Sequence, residues 1–271
     1  MVGFAALNPA YNSATNPRLL PLLLRLLCHL AQRGLCHKIA AVTYTSALIV
    51  GAGSGLSASL ARAFTKAGMK VALAARSAAK LDEFVKATGC KAFNCDAAKR
   101  DEVEKLFADL DAAQLTPDVV VYNASYRTRG PLIELDPVEV AKAIEITAFG
   151  GFLVAQAAVK RMLPRAQGAI LFTGASASVK GYAQSAPFAM AKFALRGLAQ
   201  SMARELSPQG IHVAHFVIDG GIKSARRVEP AASPDSLLDP DAIATTYLAV
   251  LNQPRSAWMH EVELRPWVEK F

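Results

Sequence analysis

The stretch Ala47-Leu48-Ile49-Val50-Gly51-Ala52-Gly53-Ser54-Gly55-Leu56 joins a short apolar run to a glycine-rich turn. The turn leads directly into a helical pattern, and this order is typical of the first unit of a parallel α/β sheet. Glycines at such a junction let the backbone approach a pyrophosphate, whose charge is stabilised by free N–H groups at the helix N-terminus. The sequence therefore predicts a phosphate-binding loop with contacts from Gly51, Gly53, Ser54, Gly55 and Leu56.

Beyond this turn, short apolar runs alternate with helical segments, which indicates βαβ units. The predicted strands are 47–50, 70–75, 92–95, 118–122, 169–173, 212–218 and 261–264. The predicted helices are 56–67, 79–88, 100–112, 137–162 and 187–206, with one more starting near Asp241. Residues 46–271 are therefore predicted to form one Rossmann-type domain, a doubly wound parallel sheet of about seven strands in a three-layer α/β/α arrangement.

The composition agrees with one large folded domain. Hydrophobic residues make up 52% of the 271 residues and charged residues 19%, which is enough for a large core and excludes wholesale disorder. The formal net charge is +8, but residues 1–45 carry four basic side chains and no acidic one. The excess left for the rest is modest, so we expect a small-molecule substrate or a phosphorylated cofactor and no nucleic-acid partner.

Residues 1–45 are predicted to be an N-terminal extension with a basic, amphipathic, leucine-rich helix. Its polar stripe contains Arg18, Arg25, His29 and Gln32. The apolar part, residues 19–30, is too short to span a bilayer. Three interpretations stay open: an organelle-targeting presequence, a peripheral membrane or docking helix, and an extension with no role of its own. We expect a cytoplasmic protein, with a mitochondrial or other organellar location as the alternative.

The four cysteines, Cys28, Cys36, Cys90 and Cys95, match neither a zinc-ribbon spacing nor a secretory disulfide framework. A Cys-His pair occurs twice, at Cys28 and Cys36, but eight positions on a helix put the two pairs on different faces. We therefore predict no metal site, and we expect reduced thiols in an intracellular compartment.

Taken together, several motifs in residues 46–271 resemble the fingerprint of the short-chain dehydrogenase/reductase family. The family's TGxxxGxG loop is matched by residues 50–57, with Val50 and Ser57 in place of the first threonine and last glycine. Asn123-Ala124-Ser125 stands where the family has NAG, and residues 219–224 stand where its PG-containing loop follows the sixth strand. The resemblance implies that the cofactor contacts include Asp96, which would meet the adenine, and Asn123, Ala124, Gly220 and Ile222.

The end of the second predicted strand indicates which dinucleotide binds. A NAD-specific domain usually has an acid here, which accepts both ribose hydroxyls. This chain has Ala75 followed by Arg76 and Ser77. The guanidinium of Arg76 is a planar, permanently charged fork that matches a 2′-phosphate, and Ser77 can add a hydroxyl. We expect NADP(H), with NAD(H) the weaker candidate; a solvent-facing Arg76 is the alternative.

The catalytic group that the resemblance implies is only partly matched. In the family a tyrosine delivers the proton, a lysine four residues later lowers the tyrosine pKa and holds the nicotinamide ribose, and a serine thirteen residues earlier polarises the carbonyl. Lys192 occupies the lysine position, and Phe188 occupies the tyrosine position. Ala175 stands at the serine position with Ser176 next to it, and Thr147 stands where the family has a relay asparagine.

Phe188 has no proton to donate, so the family's standard mechanism is not available as written. Tyr182, six residues earlier, can supply a phenol from another direction. Some reductases of conjugated double bonds in this superfamily also lack the usual tyrosine. The candidate catalytic residues are therefore Ser176, Tyr182 and Lys192, against the alternatives that Tyr182 is an ordinary loop aromatic and Ser176 a capping hydroxyl.

The leading hypothesis is an NADP(H)-dependent oxidoreductase of this family, which transfers hydride to a small carbonyl or conjugated substrate. The alternative is a catalytically impaired dinucleotide-binding or sensor protein that keeps the fold. Residues 222–240 would form the substrate-side loop, where Arg226 and Arg227 meet either an acidic substrate or solvent. The resemblance also implies a homodimer or a homotetramer.

Overall fold

The structure is a computed structural model, and it describes residues 43–269. The predicted leucine-rich helix, its polar stripe and the Cys28 and Cys36 pairs lie outside the described residues. Within the described range, no helix combines the length and the apolar character needed to cross a membrane.

Seven strands form one parallel sheet. They are β1 (Ser46–Val50), β2 (Lys70–Ala75), β3 (Lys91–Asn94), β4 (Val119–Tyr122), β5 (Gly168–Thr173), β6 (Ile211–Ile218) and β7 (Glu261–Leu264). Their order across the sheet is β3-β2-β1-β4-β5-β6-β7, and every pairing is parallel. The predicted doubly wound α/β sheet is confirmed, and no strand end differs from its predicted position by more than one residue.

Helices connect the strands. They are α1 (Leu56–Lys66), α2 (Asp82–Thr88), α3 (Arg100–Ala112), α4 (Pro137–Ile144), α5 (Gly150–Met162), α6 (Ala186–Leu206) and α7 (Pro240–Leu251). The helix predicted over 79–88 begins as a 3-10 turn, Ala78–Leu81, where the Ala78 amide donates to the Asn94 side chain over 2.8 Å.

The helix predicted over 137–162 is interrupted by a π-helical turn, Glu145–Phe149. The buried Tyr122 hydroxyl donates to the Ile146 carbonyl, and so engages an acceptor of the helical hydrogen-bond ladder from the side. Turns of this kind are frequent at functional sites, and this one places Ile146 beside the loop that follows β4.

The sheet is covered on both faces because successive residues of each strand point to opposite sides. One core layer combines Ile49, Leu73 and Val121 with side chains of α1 and α7 such as Phe64 and Tyr247. The other combines the alternate strand residues with side chains of α3, α5 and α6. These two layers give the three-layer α/β/α arrangement that the sequence predicts.

The strand order reverses between β1 and β4, since the chain winds outward from this pair in opposite directions. Val50 and Tyr122, the last residues of these two strands, are paired in register. In open parallel sheets the crevice at the carboxyl end of such a pair is the usual ligand site. The predicted phosphate loop lies at this point.

Candidate active site

The glycine loop is held against the loop that follows β4. Gly51 has a φ of +83°, and a Cβ built on it would lie 2.4 Å from the backbone nitrogen of Ala124. A side chain is therefore excluded both by the backbone conformation and by the neighbouring strand end. This contact explains why the position takes glycine and why its partner in the second motif is the small residue Ala124.

Ser57 replaces the last glycine of the family motif, and the structure gives this hydroxyl a function. It donates to the Gly51 carbonyl over 3.1 Å and accepts a hydrogen bond from the Asn123 side-chain amide over 2.8 Å. The departure from the motif therefore adds a polar link between the two loops that form the crevice.

A cleft of about 500 Å³ opens at this crevice, and we call it the phosphate-loop cleft. Its walls include most of the predicted cofactor contacts: Gly51, Gly53, Ser54, Arg76, Ser77, Asp96, Asn123 and Ala124. Gly55 lies outside it and lines a neighbouring groove with Ser54 and Arg62. Leu56 is 5% exposed and packs in the core, so any contact from it would have to come from its backbone.

At one side of the phosphate-loop cleft, Arg76 follows the end of β2. Its side chain is exposed, and it forms no ion pair with any residue in the range 43–269. Ser77 and Lys80 line the same wall. Lys80 was not predicted from the sequence. Its position in a turn, four residues after Arg76, was the available signal.

Asp96 lies at the carboxyl end of β3, on the wall of the same cleft. One carboxylate oxygen accepts a hydrogen bond from the Ala98 amide over 3.1 Å, and the Asp96 backbone N–H donates to Glu102 over 2.7 Å. These two contacts fix the turn after β3. Among residues 43–269 no side chain forms an ion pair with this carboxylate, and its contact with adenine stays a prediction.

A second cleft of about 290 Å³ adjoins the first, with Asn123 and Ser125 shared between them, and we call it the Lys192 cleft. All the predicted catalytic residues and the contacts predicted after β6 line it: Ser176, Tyr182, Lys192, Gly220 and Ile222. Phe188 and Ala175 lie on its wall as well. The structure therefore brings the predicted catalytic group together around one cavity.

Lys192 is 3% exposed, and its ammonium donates to the Thr173 carbonyl at the end of β5 over 2.7 Å. No carboxylate pairs with this ammonium among residues 43–269. Because burial penalises the charged form, the pKa of Lys192 falls from 10.5 to about 8. At neutral pH the Lys192 side chain is therefore still mostly protonated, and it presents a positive charge and N–H donors to the cleft.

Phe188 lies close to two cations. The Lys192 ammonium is 5.7 Å from its ring centroid, and the Arg127 guanidinium is 5.0 Å from it. Both distances are in the range of cation–π contacts. Position 188 therefore has the electrostatic surroundings that would stabilise a phenolate, but it carries a ring without a hydroxyl.

Tyr182 is 45% exposed and lies in the loop between β5 and α6. The Lys180 ammonium is 5.7 Å from its ring centroid. Lys180 also reaches the buried Asp219 carboxylate over 3.4 Å. The pKa of Lys180 is raised, first by its contact with the Tyr182 hydroxyl and then by Asp219, so this lysine stays charged beside the phenol.

The serine position of the family pattern lies in the turn after β5, and the asparagine position lies in the π-helical turn. Ser176 begins a 3-10 turn, Ser176–Ser178, and lines the Lys192 cleft together with Ala175. Thr147, at the relay position, is fully buried in the π-helical turn, and its hydroxyl accepts a hydrogen bond from the Tyr126 amide over 3.1 Å. Thr147 therefore supports the loop after β4.

Two polar residues of this cleft and one basic residue beside it were not predicted from the sequence. Arg127 and Ser185 line the cavity, and Lys180 lies against Tyr182. The only sequence signal for Arg127 is its place four residues after Asn123, in a loop at the carboxyl edge of the sheet. Nothing in the sequence marks Ser185 or Lys180.

Chemically, the two adjoining clefts suit one elongated ligand. A phosphate-bearing end would meet the glycine loop and Arg76, and the other end would reach Lys192. Within the described part of the chain no three metal-ligating side chains cluster.

Comparison with known proteins agrees with this geometry. The family model described as short chain dehydrogenase matches residues 45–231. The 3-oxoacyl-(acyl-carrier-protein) reductase MabA of Mycobacterium avium is 29% identical over 177 residues, which cover 65% of this chain and 67% of that protein. An uncharacterised oxidoreductase of Staphylococcus aureus (strain N315) is 25% identical over 81% of this chain and 96% of its own length.

Solved structures show the same relationship. A short-chain dehydrogenase from Rhodopseudomonas palustris is 34% identical, with a TM-score of 0.71 over 82% of this chain and 99% of that one. A metagenomic short-chain oxidoreductase in complex with NADP is 27% identical, with a TM-score of 0.71 over 83% and 98% of the two chains. The chain belongs to the short-chain dehydrogenase family of oxidoreductases.

Proposed function

We propose that this protein is an NADP(H)-dependent oxidoreductase that transfers hydride to a small carbonyl or conjugated substrate. The observation that carries the proposal is the pair of adjoining clefts, with the glycine loop in one and Lys192 in the other. The metagenomic relative in complex with NADP supports the same cofactor. When bound, the cofactor supplies the hydride; the protein has to bind and orient both reactants and provide a proton.

The preference for NADP(H) rests on the end of β2. Ala75 leaves no carboxylate there to repel a 2′-phosphate, and the unpaired Arg76 offers the phosphate a charged fork. Ser77 lies next to it on the same wall. The site residues that would hold the rest of the cofactor are Gly51, Gly53, Ser54, Asp96, Asn123, Ala124 and Lys192.

We expect the unmodified protein to bind NADPH at least about tenfold more tightly than NADH, because a charge-assisted phosphate contact contributes roughly 1.5–3 kcal/mol. Arg76→Ala should remove most of this preference, and fluorescence titration with each cofactor measures it. Arg204→Ala is a matched control, since this exposed arginine near the end of α6 lines neither cleft. Equal affinity for the two cofactors in the unmodified protein would refute the assignment.

For the chemical step we propose that Lys192 holds the nicotinamide ribose and that Tyr182 delivers the proton. Lys192 keeps its role without a tyrosine at 188, because its ammonium is fixed by the Thr173 carbonyl. The Lys180 ammonium beside Tyr182 stabilises the phenolate left after proton transfer. Ser176, on the same wall, would polarise the substrate oxygen.

Tyr182→Phe is expected to lower turnover of a conjugated ketone by about 10²–10⁴, the usual contribution of a positioned general acid. Steady-state rates measured with saturating NADPH test this. Tyr44→Phe serves as the control, because this buried tyrosine precedes β1 at the opposite edge of the sheet. Turnover that is insensitive to Tyr182→Phe would remove Tyr182 from the mechanism.

The second candidate function is that of a dinucleotide-binding or sensor protein that has lost turnover. A specific observation favours it: the position close to two cations carries Phe188, which has no hydroxyl. Both functions require the same cofactor site, so cofactor binding alone does not distinguish them. An assay of hydride transfer distinguishes them.

We also propose that the protein forms a homodimer or a homotetramer. Large apolar side chains are exposed along the π-helical turn, α5 and α6: Phe149, Phe152, Met190 and Phe193. A second copy would cover them, and light scattering in solution would give the number of copies.

A further inference from the structure

The Lys192 cleft is lined by positive charge. Three basic side chains, Lys192, Arg127 and Arg227, lie on its walls, and no aspartate or glutamate does so among the residues that line it. The two arginines come from different elements, one from the loop after β4 and the other from the loop after β6. An uncompensated cluster of this kind attracts an anion.

The nearby carboxylates are already paired with other cations. Glu229 forms an ion pair with Lys223 at 2.7 Å. The buried Asp219 lies 3.4 Å from Lys180 and 3.3 Å from Arg265. Within residues 43–269, Arg127 and Arg227 therefore have no carboxylate partner.

Arg127 is affected by the positive charges near it. The pKa of Arg127 is lowered, first by partial burial and then by the positive charges of Arg129 and Arg227. Like charges brought together without a counterion are unfavourable, and a bound anion would relieve the repulsion.

The position of Arg127 ties this charge to the reacting region. Its guanidinium lies 5.0 Å from the centroid of the Phe188 ring, on the wall that also contains Lys192. Ser185 lines the same cavity, and its hydroxyl is fully buried without a hydrogen-bond partner in the described structure. An acceptor oxygen of a ligand would satisfy this donor.

We propose that the substrate carries a carboxylate and that Arg127 and Arg227 bind it in the Lys192 cleft. This inference rests on the proposed function, because it names the class of substrate reduced there: a small oxo acid or enoic acid. A guanidinium matches the two oxygens of a carboxylate, and two converging guanidinium groups can hold it from two sides. Arg226 does not line this cleft, although nothing in the sequence distinguishes it from Arg227.

The test is calorimetric binding of 4-oxopent-2-enoate, a conjugated ketone with a carboxylate, and of its methyl ester to the full chain saturated with NADP⁺. We expect the acid to bind at least about tenfold more tightly than the ester, since the ester has the same carbonyl and no charge. Arg127→Gln and Arg227→Gln should each remove most of this preference. Arg226→Gln, which removes one positive charge from the adjacent position, should leave it unchanged.

The inference is overturned if acid and ester bind equally, or if Arg226→Gln has the same effect as Arg227→Gln, because net charge would then account for the result. Reduction rates for the same two compounds separate this inference from the proposed function. Arginine-dependent binding of the acid without its reduction supports the anion site and contradicts the oxidoreductase assignment. Equal reduction of acid and ester supports the oxidoreductase assignment and contradicts the anion site.

Discussion

Replacement of Phe188 with tyrosine is expected to raise reduction of simple ketones at least about tenfold, because a positioned general acid contributes roughly 10²–10⁴ in rate. The ring at this position already lines the Lys192 cleft, so an added hydroxyl would face the substrate. Lys192 and Arg127 would both lie near it, at 5.7 and 5.0 Å from the present ring centroid. Two cations at these distances favour the phenolate and make the phenol a better proton donor.

The measurement is NADPH oxidation with a panel of unactivated ketones, comparing Phe188→Tyr with the unmodified protein. Phe84→Tyr is a suitable control, because this half-buried aromatic lies on α2 and lines neither cleft. In the unmodified protein we expect turnover to favour conjugated alkenes and strongly activated carbonyls. Efficient reduction of simple ketones by the unmodified protein, insensitive to Tyr182→Phe, would show that position 188 does not limit the chemistry.

Gly55→Ala is expected to lower NADPH affinity at least about tenfold, since one methyl group forced into a packed contact costs roughly 1–3 kcal/mol. A Cβ at Gly55, the residue that precedes α1, would have no heavy atom within 4 Å, and its φ of −92° is not in the left-handed region. The free protein therefore has room for the methyl group. Only a cofactor whose pyrophosphate approaches the loop would meet it.

Gly51→Ala is the matched contrast. Its Cβ would lie 2.4 Å from the Ala124 nitrogen on a backbone with a φ of +83°, so the free protein itself should be destabilised by about 2–4 kcal/mol. Denaturant unfolding and NADPH titration on both variants separate the two effects. Gly55→Ala should change affinity more than stability, and unchanged affinity would show that the cofactor does not approach this glycine.

The arrangement of the sheet was predictable from local pattern. Each strand is a short apolar run, and each connection carries the helical period, so the parallel doubly wound sheet follows from βαβ units alone. The two local errors, at Ala78–Leu81 and at Glu145–Phe149, occur where a side chain from another strand engages the helix backbone. Such contacts join residues far apart in the chain and leave no periodic signal.

The cofactor side of the site was also predictable, because its glycines and Arg76 follow directly from strand ends. The residues around the Lys192 cleft were harder to predict. Arg127 and Arg227 are 100 positions apart in the chain, and only the fold places them on one cavity. The pairing of Lys180 with Tyr182 depends on the path of the loop after β5, which no motif specifies. Long-range juxtaposition therefore limits what the sequence reveals about the substrate.

The most direct measurement is a single turnover of the unmodified protein with NADPH that carries deuterium at the transferable position of the nicotinamide ring. It is mixed with a conjugated ketone bearing a carboxylate, and the product is analysed by mass spectrometry. If the protein is the proposed NADP(H)-dependent oxidoreductase, the product contains the deuterium and forms at a rate that falls with Tyr182→Phe. Tight binding of NADPH with no deuterium in any product, for this compound and its uncharged ester alike, would contradict it and identify a dinucleotide-binding protein without turnover.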